Sequence, residues 1–264
     1  MKYLETIEDV GMNVIKFRIE YSSCANIFFH GFTSVTSEDD IEILKQSIPI
    51  LDTQDSILVH WDSGNIKQAA AQSIFDVIHN HTPEKSSSFK ERIFSWGKEV
   101  LTNTANDLVD NFVSNEKKSD TLATNLSAIL EKCESSHQYD HINLIGHSLG
   151  ARLVLQGVCS LSEGYKSKIR NVVLMGGAIG WQQTFCSYLE QINNLHLFNL
   201  YSSKDFVLVG KPGFEHCIGR SFIPESTHYR VTNIHCDGFG HTDYWPQFKD
   251  LCEKHNFLDI SVPA

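Results

Sequence analysis

The sequence is short of several things. It has no run of about 18 apolar residues, so no stretch reads as a membrane-spanning helix. Its seven cysteines (Cys24, Cys133, Cys159, Cys186, Cys217, Cys236 and Cys252) are odd in number, scattered, and never in a C-x-x-C pair. That excludes a disulfide framework and a zinc ribbon, and fits buried thiols in a reducing compartment. Positive charge is also scarce. Twenty-two Lys and Arg against 32 Asp and Glu give a formal net charge of −10, which argues against nucleic acid or an anionic membrane as partner. The opening MKYLETIEDVGMN has one lysine, three acids and no apolar h-region. It is not a secretory signal, so a cytoplasmic location is expected, with signal-independent export left open. Among the histidines only His79-x-His81 approaches a metal motif, and with Asp76 and Glu84 it matches no familiar ligand spacing. No metal or organic cofactor is expected.

What is present is an ordinary globular composition, 41% hydrophobic and 20% charged over 264 residues, enough for one sizeable core. No repeat or linker divides the chain, so residues 1–264 read as a single domain. Short apolar runs at 13–20, 26–30, 56–61, 142–145, 171–175, 196–201 and 229–235 read as strands. Helical patterns are read at 38–47, 120–132, 151–158, 181–191 and 242–255. The alternation predicts a mostly parallel sheet with helices on both faces. Extra helical sequence interrupts it between about 65 and 115. One part, 67–78, is alanine-rich. Another, from 90, carries Ile93, Val100, Leu101, Leu108, Val109 and Phe112 on one face. A helix packed on the domain body is the simpler reading of that stripe than a lid.

The chain is organised around residues 141–152, HINLIGHSLGAR. A buried strand ends in Gly146-His147-Ser148-Leu149-Gly150, and a helix follows. In that context G-x-S-x-G places a serine on a strained turn with its Oγ presented at the sheet edge. A hydroxyl needs a base to take its proton, and the base needs an acid to orient it. With such an elbow the acid and then the histidine follow along the chain. The loop after 171–175, GGAIGW, has no acid. The loop after 196–201, SSKD, supplies Asp205, and the loop after 229–235, CDGFGH, supplies His241. Asp237 and Asp243 rival the acid, and His235 and His228 the base. Asp237 shares one short loop with His241, and His235 lies inside the strand pattern.

Acyl transfer also needs two N–H donors for the oxyanion. One is expected from Leu149, after the nucleophile. The other is expected from Phe32, in the loop His30-Gly31-Phe32 after an early strand. Gly31, His147, Trp181 and Phe239 lie at strand ends where a substrate pocket would form.

The segments NLIGHSLGAR, VVLMGGA, Asn199-Leu200-Tyr201-Ser202-Ser203-Lys204-Asp205-Phe206-Val207-Leu208 and Gly240-His241-Thr242-Asp243-Tyr244 resemble the α/β-hydrolase family known as domain of unknown function 726. Eukaryotic members of that family include transmembrane and coiled-coil domain proteins. The likeness runs best from about Lys118 to Tyr244. It implies the α/β-hydrolase fold and points to Ser148, Asp205 and His241. His147 stands where an aromatic such as Phe is expected, and the apolar membrane segments of the larger relatives are missing.

The resulting expectation is a serine hydrolase cleaving a carboxylic ester, with a small-molecule or lipid ester as substrate. A thioesterase, amidase or acyltransferase would use the same residues. A non-catalytic hydrolase-fold module that binds a lipid or protein is the reading from another class.

Overall fold

The computed structural model describes residues 3–7, 12–18, 22–32, 44, 46–47, 54–63, 102–209 and 216–258. Among the described residues eight strands form one sheet: β1 (Tyr3–Ile7), β2 (Met12–Arg18), β3 (Cys24–Phe29), β4 (Asp55–Trp61), β5 (His141–His147), β6 (Ile169–Met175), β7 (His196–Tyr201) and β8 (Arg230–His235). Their order across the sheet is β1-β2-β4-β3-β5-β6-β7-β8. β1 and β2 run antiparallel to their neighbours, and every pairing from β4 to β8 is parallel. The mostly parallel sheet expected from the alternation is therefore present, with an antiparallel edge added by β1, which the sequence reading did not mark.

The central strands are apolar on both faces because both faces are covered. Ile27, Phe29, Leu144, Val172, Leu174 and Leu197 face a layer with Leu122, Leu126, Leu130, Val154 and Phe185. Their alternating neighbours Phe28, Ile145, Val173, Met175, Phe198 and Leu200 face Trp245, Phe248, Cys252 and Phe257. The first layer is built by α1 (Thr102–Ala123), α2 (Leu126–Cys133), α3 (Leu149–Cys159) and α5 (Gln183–Leu189), with the single turn α4 (Glu163–Lys166) between the last two. The second layer is built, among the described residues, by α6 (Phe248–His255) with Leu44, Trp245 and Phe257 beside it. No helix among the described residues is long and apolar enough to cross a membrane. All seven cysteines are free thiols.

Arg152 on α3 grips α1 with three contacts: Nη1 to Glu116 at 2.9 Å, Nε to Asp120 at 2.5 Å and Nη2 to Asp120 at 2.9 Å. The two acids are four residues apart, so one helical face presents both to a single guanidinium. Phe112, further back on α1, meets Phe32 edge-on at 5.2 Å. The far end of α1 is thus packed on the domain body. Nearly all of the expected helices at 38–47 and 67–78, and the start of the one from 90, lie outside the described residues.

At the end of the sheet remote from the strand tips, four amides form a ladder. Asn171 donates to Asn143 at 3.0 Å, Asn143 to Asn26 at 2.8 Å, and Asn26 to Gln54 at 2.7 Å. Gln54 in turn donates to the carbonyl of Leu258 at 2.8 Å. Buried amides are tolerated where each finds a partner, and these do so only in one strand register.

Several boundaries differ from the sequence reading. The expected helix 120–132 is two helices broken at Thr124 and Asn125, whose side chains both donate to the carbonyl of Thr121, at 2.7 and 3.0 Å. That competition with the backbone ends a helix without glycine or proline. The expected helix 242–255 begins only at Phe248, because residues 241–247 form turns around Pro246.

Candidate active site

β5 ends at His147, α3 begins at Leu149, and Ser148 alone makes the turn. It holds φ 56° and ψ −118°, a conformation rarely taken by any residue but glycine and worth about 1–3 kcal/mol of strain. Its surroundings hold it there. The Ser148 N–H donates to Met175 O at 3.0 Å, and the Ser148 carbonyl accepts from Ala178 and Arg152, each at 3.2 Å. The flanking glycines are required by space. A Cβ on Gly146 would lie 2.6 Å from the Ala151 backbone, and one on Gly150 would collide with the carbonyl of Phe29.

The structure brings three of the expected residues together. Ser148 Oγ lies 2.8 Å from His241 Nε2, and His241 Nδ1 lies 2.7 Å from Asp205 Oδ2. An ionised carboxylate only accepts, so Nδ1 carries the proton and Nε2 is free to receive the serine's. Asp205 is fully buried, and its Oδ1 accepts the Leu208 N–H at 3.4 Å. The rivals lie elsewhere. Asp237 is exposed and sits 3.5 Å from Lys204. Asp243 accepts the Gly240 N–H at 2.6 Å. His235 is exposed beside Tyr201, and His228 lies 3.8 Å from Glu190.

The loop after β3 runs against the elbow. A Cβ on Gly31 would lie 2.6 Å from Ser148 Cβ, so only glycine permits this approach. His30, fully buried, fixes the loop. Its Nδ1–H donates to the Gly31 carbonyl at 3.0 Å, its Nε2 accepts the Trp61 N–H at 3.3 Å, and its own carbonyl accepts the Trp61 indole N–H at 3.1 Å. Burial pushes the His30 pKa down to about 3, so the ring is neutral, as this pattern needs. Because the Gly31 carbonyl is pinned on one side of a trans peptide, the Phe32 N–H points to the other. Leu149 is the first residue of α3, where an N–H has no carbonyl a turn behind it.

His147, expected at the pocket, is only 4% exposed. Its Nε2–H donates to the carbonyl of His241 at 2.9 Å, and its ring lies 4.8 Å from that of His241. Burial first, and the neighbouring His241 second, hold its pKa well below the usual histidine value. Trp181 is half-buried and meets Phe185 at 5.7 Å. Phe239 is half-buried, 5.5 Å from the ring of Tyr244.

Two residues that sequence reasoning did not single out support the loops. Ser202 Oγ donates to the Phe239 carbonyl at 2.8 Å and accepts the Lys204 N–H at 3.2 Å, joining the loop of Asp205 to that of His241. Asn199 donates to Ser221 O at 2.9 Å and to Asn233 at 3.2 Å, fastening the segment that follows. Both lie in the run Asn199 to Asp205 that carries the family resemblance, which was the available signal.

This sheet order, with a strained serine at the end of β5 and its partners after β7 and β8, is the α/β-hydrolase fold. The sequence model of the family described as "Protein of unknown function (DUF726)" matches residues 86–249, more than half of the chain. The chain belongs to that family. No curated protein matches it. Among solved structures it is similar to TT1662 from Thermus thermophilus, 14% identical, with 98% of this chain and 99% of that one covered and a TM-score of 0.51. It is also similar to Est1E from Butyrivibrio proteoclasticus (9% identical, 96% of each chain, TM-score 0.49) and to a lipase-esterase related protein from Clostridium acetobutylicum (14% identical, 94% and 100%, TM-score 0.46). At 14% identity the likeness to TT1662 speaks for the fold alone.

Proposed function

We propose that the chain is a serine hydrolase that cleaves a carboxylic ester through an acyl-enzyme on Ser148. The observation that carries this reading is the continuous path from Ser148 Oγ through the His241 ring to Asp205, with both bonds under 2.9 Å. His241 Nε2 takes the hydroxyl proton as Ser148 attacks the carbonyl carbon, and Asp205 steadies the imidazolium that results. The N–H groups of Leu149 and Phe32 receive the oxyanion. As the tetrahedral intermediate collapses, His241 returns the proton to the leaving alcohol. Water, deprotonated by His241, then attacks the acyl-enzyme, and the acid leaves. Ester and water balance the reaction without a redox partner.

The aromatic residues Phe32, Phe112, Trp181 and Phe239 around the strand tips favour an apolar acyl or alcohol group, from a small-molecule or lipid ester. Residues 1–264 are read as one hydrolase domain. The test is labelling of the full chain with a fluorophosphonate probe, followed by turnover of 4-nitrophenyl esters of graded chain length. Wild-type protein is expected to label and Ser148→Ala to stay unlabelled, with ester turnover down by at least about 10³-fold. Labelling that persists in Ser148→Ala rejects the assignment.

A further inference from the structure

On the hydrolase reading, we propose that His147 is a positioning residue, which sets the place of the base by donating its Nε2–H to the base's own carbonyl. His241 lies on turns between β8 and α6, where no ladder of backbone bonds holds it. Yet its ring has to meet Ser148 at 2.8 Å and Asp205 at 2.7 Å together. Misplacement of a catalytic group by about 1 Å is enough to slow a reaction by about 10²-fold, so the peptide that carries the ring has to be fixed.

Besides the backbone turn bond from the Asp243 N–H to the Gly240 carbonyl at 3.3 Å, three side-chain hydrogen bonds grip that turn. Asp243 takes the Gly240 N–H from within the turn itself. Ser202, three residues before Asp205, holds the Phe239 carbonyl. His147, immediately before Ser148, holds the His241 carbonyl. The base is therefore tied from outside by one bond from the acid's loop and one from the nucleophile's turn. Since His147 and Ser148 are consecutive, a shift of the elbow carries the base with it.

The rest of the His147 ring shows why an imidazole is there. It is packed among His241, Tyr244 and Trp245, with ring centroids at 4.8, 5.7 and 6.0 Å. Its Nδ1 is buried and has no hydrogen-bond partner among the described residues. A phenyl ring would fill the same slot without stranding a lone pair, so packing alone favours Phe. The donation from Nε2 is what histidine adds.

The experiment compares the full chain with His147→Phe, His147→Gln and His147→Asn. Phe keeps a flat ring and loses the donor. Gln places an amide N–H close to where Nε2 sits, and Asn is too short to do so. Three quantities are read: the second-order rate of fluorophosphonate labelling, the melting temperature, and the downfield proton signal of the Nδ1–H between His241 and Asp205. His147→Phe is expected to melt no lower than wild type, to label at least tenfold more slowly, and to shift or broaden that signal. His147→Gln is expected to recover labelling to within threefold, and His147→Asn not to. Wild-type labelling and signal in His147→Phe would overturn the proposal. So would His147→Gln labelling no faster than His147→Asn. If His147→Phe does not fold, the Gln and Asn pair decides in the same way. If wild-type protein is not labelled at all, the hydrolase reading fails on its own. The downfield signal, compared between wild type, Gln and Asn, then still decides whether His147 places His241: a signal kept in Gln and altered in Asn supports it, and one unchanged in both overturns it.

Discussion

The hydroxyl of Ser202 donates to the carbonyl of Phe239 at 2.8 Å, across 37 residues of chain, and so joins the loop of Asp205 to the loop of His241. Ser202 is fully buried. In Ser202→Ala the Phe239 carbonyl loses this donor and the Lys204 N–H loses its acceptor, at a cost of about 1–3 kcal/mol. Ester turnover should fall about tenfold or more, because the two loops lose their register with each other. Urea unfolding and 4-nitrophenyl ester kinetics on the variant check both numbers. A variant equal to wild type in both would show that the loops are aligned by something else.

Gly31 governs how close the loop after β3 comes to Ser148. A methyl group there meets Ser148 Cβ at 2.6 Å and the His147 carbonyl at 3.0 Å. A Cβ fixed to its own backbone on one side and a carbonyl on the other leave nothing flexible to yield, so Gly31→Ala forces the loop outward. Loss of one oxyanion donor slows acyl transfer by about 10²–10³-fold, and the crowding costs about 1–3 kcal/mol of stability. Turnover with an unchanged KM for a short ester is the sensitive measurement. A kcat within twofold of wild type would mean that Phe32 is not a donor.

Acid should weaken the fold through its buried neutral histidines. Burial lowers His30 to about 3 and His147 well below its ordinary value, against about 6.5 in the unfolded chain. Above pH 6.5 neither state takes up these protons and the full stability is present. Below it the unfolded chain binds them while the folded chain keeps the rings neutral, so stability falls with pH, for His30 down to about 3. At pH 5.5 the His30 ring contributes a loss of about 1.4 kcal/mol, and His147 adds a loss in the same direction. His196, lowered by burial to about 4, adds in the same direction. Urea midpoints at pH 7.5 and 5.5 measure the drop, and His147→Phe should shrink it by about one ring's share. An undiminished drop in that variant would contradict the neutral state of His147.

Much of this arrangement was legible in the chain. Ser148, Asp205 and His241 could be picked out because each follows a segment that reads as a strand, and strand tips in a parallel sheet share one edge. The parts that were not legible depend on contacts between segments distant in sequence. Tyr3–Ile7, YLETI, has no apolar run of its own and becomes a strand only beside β2. His147 reads as a pocket residue until the turn carrying His241 is seen to cover it. Ser202 looks like a solvated loop serine until Phe239 arrives from the next loop. Gly31 looks like one more turn glycine until the elbow is placed against it.

The amide ladder across the sheet has a consequence for how this chain is made and handled. Its rungs at Asn26 and Gln54 are synthesised early, but the last acceptor, the Leu258 carbonyl, comes 204 residues after Gln54. Until the ribosome has delivered residue 258, the Gln54 N–H lacks its carbonyl acceptor, and the half-made sheet carries an open polar group. A shortened expression clone that stops ahead of that carbonyl would leave the same vacancy for good. The final turn after α6 is therefore part of what the sheet needs in order to close.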